Sequence, residues 1–229
     1  MGDSLPLTLP DVAAITLFAV AWFAYALAVD GRLTSRVSLT AAMNRQREAW
    51  MRTMASRDMR MVDTSIMAGL QQGTAFFAST SLIALGGCLA LVRQTEEAVS
   101  VLSGLPFMEP VARGVFEIKA IGLTVLLAYS FFKFAWAYRL FNYCSILIGA
   151  VPVFRDASAE LDAAVRRAAQ MNVLAGRHFN AGLRGIFFSI GYLGWFVGAA
   201  PFVVATLLVS AVLVRRQFFS RARQVVLTE

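Results

Sequence analysis

Charge is scarce in this chain of 229 residues: only 15% of its side chains are Asp, Glu, Lys or Arg, against 58% hydrophobic, and the mean hydropathy is +0.64. Soluble domains carry about a quarter charged residues, so a water-soluble globular fold is excluded. Cysteine is nearly absent. Cys88 and Cys144 lie far apart in apolar sequence, which leaves no disulfide framework and no thiolate metal site, only small core residues. The single histidine, His178, excludes a multi-histidine metal or haem site and reads as a hydrogen-bonding residue at a helix end. Nucleophile elbows, phosphate loops and paired acids flanking a cleft are missing too, so neither enzymatic activity nor a cofactor is expected. No basic residue precedes the first apolar run. Residues 1–11 carry Asp3 and Asp11 instead, which is not the start of a secretory signal peptide, and the run that follows reads as a retained span. The scarcest charged type is lysine: Lys119 and Lys133 stand against nineteen arginines.

What the chain has in quantity is uninterrupted apolar sequence, at 12–29, 64–92, 120–132 continuing past Lys133, and 185–214. Each run approaches or exceeds the ~20 residues a helix needs to cross about 30 Å of hydrocarbon. None alternates apolar with polar residues as a membrane strand does, so helices do the spanning. The net charge of +7 is no sign of nucleic-acid binding, because the arginines are distributed by connecting segment rather than clustered with stacking aromatics. By segment the net charge is −2 over 1–11, +3 over 30–63, −1 over 93–113, +3 over 139–184 and +3 from 215 onward. The positive-inside rule places the second, fourth and last of these in the cytoplasm and the N-terminus outside. The fourth apolar run must then cross twice. As one helix it would be about 45 Å long, and the turn signal Gly198-Ala199-Ala200-Pro201 divides it.

The expected fold class is therefore all-α, a polytopic transmembrane bundle in one domain, 1–229, N-out and C-in. Its five spans fall at about 12–29, 66–92, 115–136, 180–197 and 201–216, with four spans as the alternative. Two cytoplasmic helical segments complete it. Over 38–65, Met43, Trp50, Met54 and Met61 recur as an amphipathic stripe that either lies on the membrane surface or packs on the bundle as the stem of the second span. Over 156–177, an alanine-rich helix starts from an Asp156 or Ser158 cap and carries Asp162 and Arg166 at i, i+4.

Both lysines fall in the third apolar stretch, where an ammonium at mid-membrane costs about 2.5–3.5 kcal/mol. Fourteen residues apart, they lie roughly 21 Å from each other along a helix and on nearly one face. Snorkelling to opposite interfaces is one reading. The other is a packed face, because Gly122, Ser130 and Ala137 share it and a lysine there wants an anion. The topology sends Lys119 to the outer interface beside Glu117. It gathers Lys133 into a polar cluster at the cytoplasmic mouth with Asp30, Arg60, Asp63, Arg139, Asn142, His178, Asn180 and Arg184. Such a cluster either binds an anion, relays protons or pins helices together. Gly69, Gly73, Gly86, Gly87, Gly194 and Gly198 are candidate helix-packing positions.

These residues also carry a resemblance. NRQREAWM (44–51), with Arg47 and Trp50, and RDMRMVD (57–63) form an arginine-rich signature; GTAFFASTSLIALGG (73–87) and KFAWAYRLFNYCSILIGAVP (133–152) follow, then HFNAGLR (178–184), LGWF (193–196) and RRQF (215–218). Together they resemble the bacterial integral-membrane family known as domain of unknown function 599. The resemblance covers most of the chain and implies a multi-span protein of the bacterial inner membrane, with no established activity. Arg47, Trp50, Arg60, Asp63, Lys133, Arg139, Asn142, Asn180 and Arg184 are family-like positions by that resemblance, and Lys119 falls outside its motifs.

Beyond the lipid bilayer, the glycine-rich faces favour association with a second copy or another membrane complex, which makes an accessory or assembly subunit the leading expectation. The alternative is a small channel or transporter for an ion or anionic solute, with Lys133, Asp63, Arg60 and Asn142 lining a basic cytoplasmic vestibule.

Overall fold

The computed structural model describes residues 7–104, 112–152 and 158–228. All regular structure among them is helical: α1 Leu9–Val29, α2 Leu39–Ala55, α3 Met61–Arg93, α4 Thr95–Ser103, α5 Arg113–Ala150, α6 Ala159–Tyr192, α7 Gly194–Val197, α8 Ala199–Phe218 and α9 Arg221–Leu227. Four of them, α1, α3, α5 and α8 with its continuation to Leu227, are long and apolar enough to cross a membrane. Their outward faces carry Phe23, Phe76, Ile83, Val125, Phe132 and Leu208, all exposed within the chain. Apolar patches of that extent are unstable in water and suit hydrocarbon.

Local signals set the helix ends. Thr8 and Asp11 close a reciprocal capping box at the start of α1, with Pro10 in the first turn. Gly31, at φ 76°, ends the same helix in the left-handed conformation that lets Arg32 N–H reach back to the Leu27 carbonyl. Ser38 then links two elements: its hydroxyl donates to the Val29 carbonyl and accepts from Ala41 N–H at the start of α2.

The helices form a sequential antiparallel layer. α3 runs against α5, with Gln71 beside Asn142 and Phe77 stacked on Phe134; α5 runs against α6, with Cys144 beside Ala168 and Phe134 against Phe179. After α7 the chain reverses, and α8 descends along the last third of α6. Gly194 lies against Pro201 and Ala205, and the Arg216 guanidinium lies 4.7 Å from the Phe187 ring centroid. α1 runs parallel to α8, joined through Phe18–Phe202 at one end and through Tyr25 and Arg216 at the other, where Gln217 also reaches Thr40 of α2. The last third of α6 therefore stands at the same depth as α8, although α6 as a whole carries too much charge in its first half to count among the four apolar helices.

Two cores divide the length. At the end where Arg113 starts α5, Phe18, Phe188, Tyr192, Trp195 and Phe202 pack edge and face. At the arginine-rich end, Met51 and Met54 of α2 enter a core with Met67, Phe141, Cys144, Ile148 and the alanine face of α6. α3 and α5, at 33 and 38 residues, are about 50 and 57 Å long, so each is longer than a ~30 Å apolar slab.

Several expectations change. The segment 38–65 is two helices: α2 stops at Ala55, and the break lets Arg57 and Trp50 both reach Asp63. Its stripe is not Met43, Trp50, Met54 and Met61, because Met43 is largely exposed and Met61 is 70% exposed; Met51 and Met54 carry the buried face, against α5 and α6. The expected segments 156–177 and 180–197 are largely one helix, α6, whose start Ser158 caps by accepting from Leu161 N–H at 3.1 Å. Asp156 lies outside the described residues. α5 continues past position 136 to Ala150.

The glycines also redistribute. An added Cβ at Gly69, Gly73, Gly86 or Gly87 would meet nothing within 4 Å, so within the chain they do no close packing, and Gly198 is a buried link between α7 and α8. Gly194 does pack, against the Pro201 carbonyl. The close α5–α6 approach rests instead on Gly122 under Tyr192, Gly182 under the Phe134 ring and Gly185 beside Ser130.

Candidate functional site

The polar residues of the arginine-rich end separate into three groups. In the first, Asp63 is fully buried in the first turn of α3 and accepts from the Trp50 indole N–H at 2.7 Å and from Arg57 at 2.6 Å. Arg60, one turn earlier, donates to the carbonyls of Ile148, Val151 and Pro152 at 2.8, 2.7 and 3.0 Å. These carbonyls lie at and just past the C-terminus of α5, where the helix dipole favours a cation. Asp63 and Arg60 thus clip α2, α3 and α5 together, on a different part of the bundle from Lys133.

The second group is internal. Arg47 of α2 lies flat on Gly176 and donates to Asn172, whose amide in turn approaches the Met67 and Cys144 sulfurs. Gln71 joins α3 to α5 through Asn142 at 2.8 Å and Ser145 at 3.0 Å. Arg139 belongs to neither group: it is exposed and donates to the Tyr143 hydroxyl at 2.6 Å.

The third group surrounds a cavity of about 420 Å³ where α1 ends, between α2, α5 and α6. Asp30, Lys133, His178, Asn180 and Arg184 line it, as the sequence cluster has them, and Arg32, Thr40, Asn44 and Arg177 join them. Four cationic side chains face one carboxylate. Arg184 lies 5.8 Å from the Trp22 ring centroid, and its buried Nε–H has no acceptor. Lys133 Nζ stands 5.3 Å from the Tyr129 ring centroid, and no carboxylate lies within ion-pair distance of it among the described residues. Burial lowers the His178 pKa below its ordinary 6.5, and the nearby Lys133 charge lowers it further, so the imidazole is neutral at pH 7. Excess positive charge and an unsatisfied guanidinium N–H are the two features that an anionic group would satisfy.

Lys119 overturns the sequence expectation. It is not an outer-interface anchor beside Glu117 but 4% exposed, with Nζ donating to the Trp195 carbonyl at 2.8 Å. Glu117 pairs with Arg113 instead. The Trp195 indole donates to Asp11 at 2.7 Å, so a polar chain ties α1, α5 and α7 at the end where α1 and α5 begin. One signal pointed there: the face Lys119 shares with Ser130 and Ala137 is the buried face of α5. Asn172 had a signal too, as the polar residue following Leu161, Val165 and Ala168 on the apolar face of α6.

A family model described as "Protein of unknown function, DUF599" matches residues 13–222. No curated protein and no solved structure matches the chain.

Proposed function

The chain belongs to the DUF599 family, and from that premise we propose a multi-pass protein of the bacterial inner membrane that binds an anionic solute from the cytoplasm. On this reading the N-terminus is outside and the C-terminus inside. Residues 180–197, the end of α6 together with α7, make a fifth crossing beside α8, and the cavity around Lys133 is the inner vestibule of a small transporter. The carrying observation is that cavity: Lys133, Arg177, Arg184 and Arg32 face a single acid, Asp30, with the Arg184 Nε–H unsatisfied. The aromatic core of Phe18, Phe188, Tyr192 and Phe202 closes the route toward the opposite end, as in a carrier resting open to one side.

The test is thermal stabilisation of the purified full chain in mild detergent by inorganic phosphate, sulfate, chloride and citrate, repeated with Lys133→Met. At least one anion raises the unfolding midpoint of the natural protein and loses that effect in the variant. No stabilisation by any of the four, or equal stabilisation of both proteins, removes the reading.

A second reading, an accessory or assembly subunit, draws on α3. Val62, Ile66, Gly69, Gly73, Phe76, Ile83 and Gly87 follow heptad-like spacing along its exposed side, and its principal partners within the chain are α5 and α4. Phe76→Cys in native membranes tests it: disulfide-linked dimers under mild oxidation favour this role, and exclusively monomeric protein removes self-association along that face.

A further inference from the structure

A second cavity, of about 370 Å³, abuts the first and differs from it in kind. It lies between α3 and α8, which pack on other neighbours: α3 on α5 and α4, α8 on α1, α6, α7 and α2. Leu70, Phe141, Phe179 and Leu183 supply apolar wall, and α2 roofs it with Thr40 and Asn44. Gly69 and Gly73 line its edge on the exposed side of α3, and nothing in the chain fills the space where their side chains would be. A groove between two apolar spanning helices with a glycine-lined edge is open sideways to the bilayer.

Its charge is one-sided. Arg47 and Arg216 line it and no carboxylate does. The ion pairs among the described residues belong to Arg57 and Arg113, so neither groove arginine is neutralised by one. Arg47 is the more telling of the two. Its partner Asn172 is neutral, and burial lowers its pKa, the mark of a cation held in a dry setting without a counter-charge. A helix clamp alone would account for Arg47 on Asn172. It would not account for the open glycine edge, and Arg216, which stacks on Phe187 and bonds Tyr25, likewise has no carboxylate partner.

We propose that this groove holds an anionic phospholipid of the cytoplasmic leaflet, its phosphate facing Arg47 and Arg216 and an acyl chain leaving past Gly69 and Gly73. Basic pockets between spanning helices on the cytoplasmic side have the chemistry to bind anionic headgroups. The neutral side chains at the rim, Asn44 and Asn180, add donors that a phosphodiester accepts. This site is independent of the anion cavity around Lys133, though Thr40, Asn44 and Asn180 border both.

The experiment is lipid retention by the full chain. Protein extracted in mild detergent is delipidated, offered phosphatidylglycerol or phosphatidylcholine in mixed micelles, and the lipid kept after washing is measured by mass spectrometry. Phosphatidylglycerol is retained over phosphatidylcholine. Arg216→Gln weakens that retention by about fivefold, the effect of one basic residue at a headgroup. Gly73→Leu, which fills the groove on an exposed face and leaves both arginines in place, weakens it at least as much. Lys133→Met leaves it unchanged, which separates this result from the fate of the anion cavity. Equal retention of the two lipids, retention untouched by Arg216→Gln and Gly73→Leu, or displacement by inorganic phosphate at concentrations matching the lipid would each overturn the proposal. So would a cross-link through position 73 joining two copies of the chain in place of retained lipid.

Discussion

Lys119 and Trp195 meet at the end of the bundle where α1 and α5 begin: the ammonium donates to the Trp195 carbonyl at 2.8 Å and stands 5.4 Å from the indole ring centroid. The contact fixes α7 against α5 where the chain reverses between α6 and α8. The two lysines thus have opposite characters, one buried and bonded, the other at a cavity wall.

Lys119→Met should lower stability while leaving anion binding intact. It removes a buried charge-assisted hydrogen bond worth about 1.5–3 kcal/mol. Thermal unfolding in detergent reads the loss directly. An unchanged midpoint would mean that the Trp195 contact contributes nothing to the fold.

Lys133→Met should do the reverse. Lys133 is half-buried at the cavity and makes no ion pair, so its removal changes stability by less than about 0.5 kcal/mol, as for other substitutions outside packed cores. A cooperative collapse of the fold in this variant, seen as a lost unfolding transition, would contradict the placement of Lys133 outside the core.

His178, the chain's single histidine, gives an unambiguous titration signal by NMR. Its folded-state pKa is depressed, so the unfolded chain binds the proton more readily. That contribution to stability is fully present above pH 6.5 and is lost as pH falls through the lowered folded value. Lys133→Met should move the His178 midpoint up toward 6.5, because it deletes the second cause of the depression. An anion in the cavity should move it the same way, and anion affinity should therefore rise as pH falls through the His178 range. A midpoint that stays fixed under both changes separates His178 from the cavity electrostatically.

The glycines divide into two classes with opposite responses to alanine. At Gly182 a Cβ would sit 2.7 Å from a Phe134 ring carbon, so Gly182→Ala forces α5 and α6 apart at a cost of about 1–3 kcal/mol. At Gly86 a Cβ meets nothing, and Gly86→Ala should raise stability by about 0.5–1 kcal/mol through helix propensity. Chemical unfolding of the two variants side by side checks the contrast.

Asp63→Asn should destabilise the α2–α3 corner by about 1–3 kcal/mol, since the buried carboxylate holds both Trp50 and Arg57. The Trp50 emission should shift as the indole loses its acceptor, which distinguishes local release from global unfolding.

The helical class and the spanning runs could be read from the sequence because length and apolarity are summed over many residues. Within the polar cluster, Lys133, Asp30, His178, Asn180 and Arg184 were found together because helix-end positions at one membrane level converge on one mouth. Asp63, Arg60, Arg139 and Asn142 share that end but not that face. Which way a side chain points around a helix depends on the neighbour it meets, and charge counting by segment carries only depth. For the same reason Lys119 read as an interface anchor: its depth was legible, and its burial under Trp195 was created by a chain reversal 76 residues later. Arg177, Asn44 and Thr40 gave no separate signal, since their polarity is ordinary for segments outside the membrane.

The reversal between α6 and α8 bears on how the chain enters a membrane. From Gly185 to Val214 no residue is ionisable as an acid or base of the Asp, Glu, Lys or Arg kind, so carrying that hairpin through a bilayer moves no ionised group across. On the N-out, C-in reading proposed above, the connection between α3 and α5 must instead take Glu96, Glu97, Glu109 and Arg113 to the far side, each at a transfer cost of about 2.5–3.5 kcal/mol at the bilayer centre. Arg113 pairs with Glu96 and Glu117 once there. On that proposed topology the hairpin of α6 and α8 inserts without moving charge, whereas delivery of the earlier pair needs machinery that shelters charge in transit.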